Sequence, residues 1–313
     1  MVQLNIIGQG LEHALRVCRV RNRRHPSHLV SVVEGLEPAL RGDLFACCYA
    51  AMRVLDDVVD ESHVVAAERS KEEALAYVDL WQTQAEAAAS GNFVMSASAI
   101  EPEIFSALNA YLGSSKIGAM PWRHLAEAMR RDIDRDTIED WVGFETYCCG
   151  AAIAPAEVFI YILSCRIDGE LRTASALPRP PLYYARDLAL FCYLIHILRD
   201  LAHDARRDEN LIVLPRMVLE EFGLDRGGLV AALRARDAIS LQGLADALIG
   251  RAAQHLCYGE RRLREIAPEL SDNANQVLGQ LVARYVDTFE QLASDYPAHL
   301  ATIGWGDDKD ASS

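Results

Sequence analysis

Two short acidic patches have a spacing that suits a divalent cation. Asp56 and Asp60 are four residues apart, and Asp200 and Asp204 repeat that spacing further along the chain. On an α-helix, residues at i and i+4 share one face, about 6 Å apart along the axis. Two carboxylates held so close repel each other unless a cation lies between them. Oxygen ligands of this kind suit Mg²⁺, which completes its coordination shell with water and substrate phosphates.

An arginine accompanies each patch, since Arg53 lies three residues before Asp56 and Arg199 directly precedes Asp200. Fixed positive charge beside a metal site stabilises the negative charge that develops on a departing diphosphate. Either patch alone would favour a solvated helix face, which is also how we interpret the charged runs 130–136 and 204–209. Both patches together, each in an apolar helix, favour two facing helices that bind metal and diphosphate.

The elements that must position these residues are helices. Apolar residues recur three and four positions apart, whereas alternating strand patterns are scarce. The predicted helices cover 11–20, 44–59, 71–89, 104–112, 122–133, 141–165, 183–201, 229–248 and 277–292. The pattern predicts one all-α domain over residues 1–304 and a polar, flexible tail over 305–313.

Composition limits the partners. The chain has 45 acidic and 31 basic residues, a net charge of −14, which argues against binding to nucleic acid. Its first residues lack the features of a signal peptide, and its eight cysteines include no CxxC pair, so we expect a cytoplasmic protein with reduced, buried cysteines. The most apolar run, 151–163, is short and contains Glu157, so no membrane span is predicted.

Three segments, taken in this order, resemble the squalene/phytoene synthase family over about residues 27–285. Residues 48–61 resemble the first aspartate motif of the family with its preceding arginine. Residues 147–152, Tyr-Cys-Cys-Gly-Ala-Ala, resemble the segment whose tyrosine lies beside the reacting carbons. Residues 197–207, followed by Leu214-Pro215 and Phe222-Gly223, resemble the second motif. The resemblance implies an all-α bundle around a central apolar channel, in an enzyme that joins prenyl diphosphates through carbocations.

Site residues carried over from the family fall into three groups. The resemblance implies that Mg²⁺ is held by the aspartates Asp56, Asp60, Asp200 and Asp204. It implies that diphosphate is bound by Arg53 and Arg199, together with Ser27, and that Tyr285 matches a tyrosine near the family's C-terminus. Tyr147 would stabilise the cation or assist proton removal, although a core tyrosine with a satisfied hydroxyl is an equally good interpretation.

Departures from the family cluster near the predicted channel. Tyr193 and His196 stand where the family usually has Gln and Asn, and Ile153 and Ala156 stand where it has glycines. Leu211 and Val213 replace the usual arginine and tyrosine before Leu214-Pro215. We expect Ile153 and Ala156 to narrow the channel, and His196 to act as metal ligand, base or packing residue.

Three functions are compatible with these residues. The sequence narrowly favours a Mg²⁺-dependent prenyltransferase that transfers a prenyl group to an aromatic, carbazole-like small molecule in secondary metabolism. The alternative is head-to-head condensation of two prenyl diphosphates, the usual task of the family. A non-catalytic binding or assembly role is disfavoured, because all four metal-site aspartates are present.

Overall fold

A computed structural model describes residues 2–24, 28–62, 70–96, 98–113, 115–168, 172–175 and 177–302. Most of these residues are helical, which confirms the predicted all-α class. The first half of the chain contains α1 (Val2–Arg24), α2 (His28–Val33), α3 (Ala39–Ser62), α4 (Lys71–Ala89), α5 (Pro102–Leu112), α6 (Met120–Asp134), α7 (Trp141–Cys148) and α8 (Ala154–Ser164). A π-helical turn, Cys149–Ile153, joins α7 to α8.

The second half begins with a small antiparallel hairpin that the sequence did not predict, formed by β1 (Cys165–Asp168) and β2 (Arg172–Ser175). The helices that follow are α9 (Pro181–Arg207), α10 (Arg216–Glu221), α11 (Arg226–Ala235), α12 (Ala238–Ile266), α13 (Asp272–Ser294) and α14 (Tyr296–Thr302). Short 3₁₀ turns, Glu209–Leu211 and Ala267–Glu269, follow α9 and α12. The predicted tail lies outside the described residues.

Local hydrogen bonds explain where several helices begin. Ser70 and Glu73 form a capping box at α4, in which each side chain accepts from the backbone N–H of the other. Asp140, Asp225 and Asp237 cap α7, α11 and α12 in the simpler way, each carboxylate accepting from an N–H three residues on.

The helix predicted over 229–248 is two helices. Arg236 adopts a left-handed conformation, with φ of 52°, and ends α11. Asp237 then caps the start of α12 through the N–H of Ser240. The apolar period continues across this break, so periodicity alone predicted a single helix.

Helix α9 runs through the centre of the molecule and packs along α8 and α12. It buries apolar side chains on several faces, among them Leu190, Phe191 and Leu194. The α3–α6 side of the core is filled by Trp81 and Trp122, whose rings lie 6.1 Å apart. Burial of such side chains stabilises a fold by about 1.5–3 kcal/mol each, so α9 and its second acidic patch are firmly held.

Gly150 lets α6 pack directly against the π-helical turn. A Cβ atom built on Gly150 would lie 2.0 Å from the carbonyl oxygen of His124 and 2.7 Å from Cβ of Ala128. Neither neighbour is the end of a flexible side chain. The backbones can therefore approach this closely only because residue 150 has no side chain.

The apolar helical stretch in the middle of the chain is longer than the sequence analysis indicated. The apolar run 151–163 is part of a continuous helical stretch, Trp141–Ser164, that is long and apolar enough to cross a membrane. Within the fold, 61% of its most apolar window is buried. That burial is typical of a core helix, and α8 indeed packs between α3, α6 and α9.

Candidate active site

A cavity of about 950 Å³ opens between α3, α6, α8, α9 and α13. One part of its wall is apolar and aromatic, and another carries most of the predicted site residues. Wall residues include Tyr49, Asp56, Met129, Arg131, Asp132, Arg135, Asp136, Tyr147, Ala152, Pro155, Ala156, Phe159, Leu188, Tyr193, His196, Arg199, Asp200, Asp204, Arg207, Val213, Leu281 and Tyr285. A smaller cavity of about 210 Å³ adjoins it, sharing Asp56 and Tyr49 and adding Arg53.

The first acidic patch lies on α3. The Arg53 guanidinium pairs with the carboxylates of both Asp56 and Asp57. Asp57 is held in turn by Arg21 of α1, at 2.7 Å. Asp57 is therefore a partly buried partner of two arginines, while Asp56 is more exposed and faces the cavity. The side chain of Asp60, and all of Ser27, lie outside the described residues.

The second patch lies on the last turns of α9. The Arg199 guanidinium donates to both carboxylate oxygens of Asp200, over 2.7 and 2.6 Å. Burial raises the pKa of Asp200, but the Arg199 hydrogen bonds and the nearby His196 outweigh it and leave that pKa below its ordinary value. Asp200 is therefore ionised at neutral pH.

Asp204 lies one turn further along α9, and its pKa is shifted in the opposite direction from that of Asp200. Burial raises its pKa, and the negative charge of Asp200 raises it further, against a hydrogen bond from His203 at 3.3 Å. A cation between Asp200 and Asp204 would offset both the burial of the Asp204 charge and its repulsion by Asp200. The donor chemistry of this pair therefore fits a hard divalent ion.

His196 has both ring nitrogens engaged. Its Nδ1 lies 2.9 Å from Nη2 of Arg199, and its Nε2 lies 3.4 Å from Oδ2 of Asp200. Because a guanidinium can only donate, Nδ1 is an acceptor and the ring proton is on Nε2. About half of the His196 side chain is exposed, yet desolvation of the rest lowers its pKa and so favours the neutral ring. The lone pair that a general base would need is thus already used by Arg199.

Three residues from three helices form a hydrogen-bonded chain on the cavity wall. The Tyr193 hydroxyl (α9) donates to the Tyr147 hydroxyl (α7) over 3.2 Å. The Tyr147 hydroxyl donates to Oδ2 of Asp132 (α6), also over 3.2 Å. Tyr147 is 5% exposed and its hydroxyl is satisfied, as the core interpretation predicted, and it also lines the cavity.

The α6 residues are the ones that sequence reasoning missed. Residues 130–136 were interpreted as a solvated face, but Arg131, Asp132, Arg135 and Asp136 all line the cavity. A signal was present for Asp132, because it lies three residues after Met129 on the same helix and Met129 faces the same cavity.

The predicted channel residues divide into two groups. Ala156, Tyr193 and Tyr285 line the cavity as expected. Ile153 does not, which corrects the sequence prediction: it is 2% exposed and packs in the hydrophobic core. The π-helical turn adds a residue to the helix and so rotates the helix face by about 100°. Ile153 therefore faces the core while Ala152 and Ala156 face the cavity.

Burial raises the pKa of Tyr285 to about 12, so it is a neutral phenol in the wall. Among the residues whose side chains the structure describes, no group of three or more histidine, cysteine or acidic side chains is arranged to hold a metal ion. Asp56 and Asp200 are instead paired with arginines.

Comparisons with known proteins agree on one family. Residues 23–303 match the model of the squalene/phytoene synthase family. The fold is similar to squalene synthase HpnC from Alicyclobacillus acidocaldarius, with a TM-score of 0.68, 20% identity and coverage of 91% of this chain and 94% of that one. It is also similar to a dehydrosqualene synthase in complex with ligand, with a TM-score of 0.69, 18% identity and coverage of 97% and 93%. No curated protein sequence matches the chain.

Proposed function

The chain belongs to the squalene/phytoene synthase family of prenyltransferases, and on that premise we propose that it ionises an allylic prenyl diphosphate with Mg²⁺ and condenses it with a second prenyl diphosphate. One observation carries the proposal. The residues that line the cavity combine carboxylates and arginines with apolar and aromatic side chains. This combination suits a substrate that is anionic at one end and hydrocarbon at the other.

The anionic end of the substrate would lie against α3 and α9. Arg53 lines the smaller cavity and Arg199 the larger one, and both would donate to diphosphate oxygens. Asp56, Asp200 and Asp204 would hold Mg²⁺ together with Asp60, since hard carboxylate oxygens are the ligands that this ion takes. When bound, the metal would neutralise the charge on the leaving diphosphate.

The hydrocarbon end of the substrate would lie against the apolar wall. Phe159, Leu188 and Leu281 exclude water there, which protects a carbocation from premature capture. The ring faces of Tyr147 and Tyr193 carry the negative part of their quadrupole and would stabilise positive charge. Burial raises the pKa of both tyrosines well above the ordinary value, so they remain neutral phenols.

Size and charge favour a second prenyl diphosphate as acceptor. A volume of about 950 Å³ lies at the upper end of the range of about 300–1,000 Å³ for small-molecule sites, so the cavity has room for two substrates. Its wall also carries arginines beyond those of the two patches, including Arg131, Arg135, Arg207 and Arg226. Ile153, which we expected to narrow the channel, packs elsewhere.

An aromatic acceptor is the second candidate, and a different observation supports it. The rings of Tyr193 and His196 lie 6.3 Å apart and 12° from parallel, and both are on the cavity wall. Such rings offer a flat surface for a fused aromatic molecule. The role of His196 as base for that reaction loses support, because Arg199 occupies its Nδ1 lone pair.

One set of incubations tests the proposal. The full chain, with Mg²⁺, is given geranyl, farnesyl or geranylgeranyl diphosphate, alone and with carbazole. We expect diphosphate release and a condensed product from one donor alone, loss of both with EDTA, and loss of both in Asp200→Asn. Asp246→Asn, an exposed aspartate on α12 bonded to Gln242, should retain full activity.

Product formed only when carbazole is present would favour the aromatic acceptor. Turnover that survives EDTA, or that Asp200→Asn leaves intact, would exclude the metal-dependent mechanism. No diphosphate release from any of the three donors would refute the proposal altogether.

A further inference from the structure

Joining two substrates through a carbocation leaves a proton to be removed. After the new C–C bond forms, the product is a cation, and it becomes neutral by losing a proton from a carbon next to the cationic centre. The group that accepts this proton must face the cavity, and it must have a lone pair available in the structure. In the present arrangement Arg199 donates to Nδ1 of His196 and Asp200 faces its Nε2, so the histidine lone pair is already engaged.

The Tyr193–Tyr147–Asp132 chain meets both conditions. Tyr193 is half-buried and lines the cavity, and its hydroxyl hydrogen points to Tyr147, which leaves oxygen lone pairs on Tyr193 to accept a proton. Every hydrogen bond in the chain points the same way, from Tyr193 through Tyr147 to Asp132. The chain ends on a carboxylate, the one member that can keep an added proton as a stable neutral acid.

We propose that Tyr193, Tyr147 and Asp132 form a proton relay that removes the proton released when the carbocation collapses to product. The relay rests on the proposed prenyl transfer, and it applies to either acceptor, since both reactions lose a proton. Tyr193 is the proton acceptor that contacts the substrate, Tyr147 passes the proton on, and Asp132 is its destination.

The step balances in atoms and electrons. The C–O bond to diphosphate breaks and its electron pair leaves with the diphosphate, while the acceptor supplies the pair for the new C–C bond. The C–H bond beside the cationic centre then breaks, and its pair completes the neutral product. The proton goes to the Tyr193 oxygen, the original Tyr193 proton moves to Tyr147, and the original Tyr147 proton moves to Asp132. No step requires a free phenolate.

The geometry is close to what such a transfer needs. Both O–O distances are 3.2 Å, about 0.4 Å longer than a typical hydroxyl hydrogen bond. Catalytic hydrogen bonds are often long before substrate binds and shorten in the complex. The close approach of α6 and the π-helical turn at Gly150 holds the helix that carries Asp132 against the segment that follows Tyr147.

Tyr193 departs from the usual residue of the resembling family, which is a glutamine at this position. A glutamine amide can donate a hydrogen bond, but it cannot readily take up one proton and release another. A phenol can do both, because its oxygen is donor and acceptor at once. The substitution therefore adds the one property that a relay needs at the cavity end of the chain.

The test separates ionisation from proton removal. Wild type, Tyr193→Phe, Asp132→Asn and the double variant are incubated with Mg²⁺ and geranyl, farnesyl or geranylgeranyl diphosphate. Diphosphate release, condensed product and water-quenched prenyl alcohol are measured in parallel. In both single variants we expect diphosphate release within about 3-fold of wild type and condensed product reduced about 10²-fold, the usual contribution of a positioned base. Prenyl alcohol should account for the difference.

The double variant should lose no more than either single variant, because residues that act as a unit are not additive. Tyr296→Phe is the matched control: its buried hydroxyl donates to the Leu198 carbonyl, away from the cavity, and its removal should leave the product ratio unchanged. If Asp132→Asn does not fold, Tyr193→Phe alone decides the question.

Two outcomes overturn the relay while leaving the prenyl transfer standing. One is a Tyr193→Phe enzyme with the wild-type ratio of product to diphosphate. The other is a parallel fall in release and product with no rise in prenyl alcohol, which would mean that the chain only shapes the cavity. Absence of diphosphate release from the wild-type protein itself would overturn both proposals together.

Discussion

Gly150 should be the most sensitive position to a single added methyl group. In Gly150→Ala the new Cβ would begin 2.0 Å from the His124 carbonyl oxygen. Real Cβ contacts essentially never fall below 3.0 Å, so α6 and the π-helical turn must separate by about 1 Å or distort. Overpacking of this kind costs about 1–3 kcal/mol, and we expect a value near the upper limit, because the obstacle is backbone.

Stability and activity should fall together in this variant. In a large domain 1 kcal/mol shifts the melting temperature by about 2–4 °C. A cost of about 3 kcal/mol should therefore appear as a loss of about 6–12 °C in thermal denaturation followed by circular dichroism. The displaced α6 would also carry Asp132 away from Tyr147. Condensed product should therefore fall further than diphosphate release does.

Gly250→Ala provides the matched control. Gly250 lies within α12, and nothing lies within 4 Å of a Cβ built on it. An open helical glycine replaced by alanine should stabilise the protein, by up to about 1 kcal/mol. A Gly150→Ala protein that melts at the wild-type temperature would refute the close-packing argument, and with it the account of how Asp132 is positioned.

Three further predictions test single side chains. Burial raises the pKa of Glu157 from 4.5 to about 7, so the folded state loses stability as pH rises through that interval. In urea denaturation, Glu157→Gln should therefore be more stable than wild type by about 1–2 kcal/mol at pH 8 and by almost nothing at pH 4. An equal gain at both pH values would contradict the effect of burial. His196→Asn should keep product and diphosphate release in step, and a selective loss of product would make His196 the base after all. Ala156→Leu should lower kcat/KM for geranylgeranyl diphosphate more than kcat/KM for geranyl diphosphate. Ile153→Val, in the core, should leave the ratio of these two values unchanged. If Ala156→Leu lowers both values equally, Ala156 does not contact the prenyl chain.

Periodicity predicted the helices and the two acidic patches for the same physical reason. Both depend on the 3.6-residue turn, which places i and i+4 on one face and repeats apolar residues at three and four. Asp56, Asp200 and Asp204 accordingly reach one cavity from two helices far apart in sequence. What periodicity could not predict is any place where the turn itself changes.

The π-helical turn is such a place. Its extra residue rotates the face of α8 relative to α7. Ile153, which was assigned to the channel because it stands where the resembling family has a glycine, therefore packs in the core. The left-handed residue Arg135 is a second place where the helical turn changes. It ends α6 among charged residues, and a charged run at a helix end resembles a solvated terminus in sequence. Only the packing of α6 across the cavity shows that Asp132 faces inward.

The ion pairs at the polar end have a consequence for how substrate binds. Arg53 is held by Asp56 and Asp57, and Arg199 is held by Asp200 through two hydrogen bonds. Each arginine therefore has an anionic partner before a diphosphate arrives. A diphosphate that draws these arginines away would weaken the pairing of Asp56 and Asp200, both partly buried carboxylates, and that change is costly. A divalent cation that takes up those carboxylates removes this cost. Cation and diphosphate should consequently bind with positive coupling, each raising the affinity of the other by the same factor.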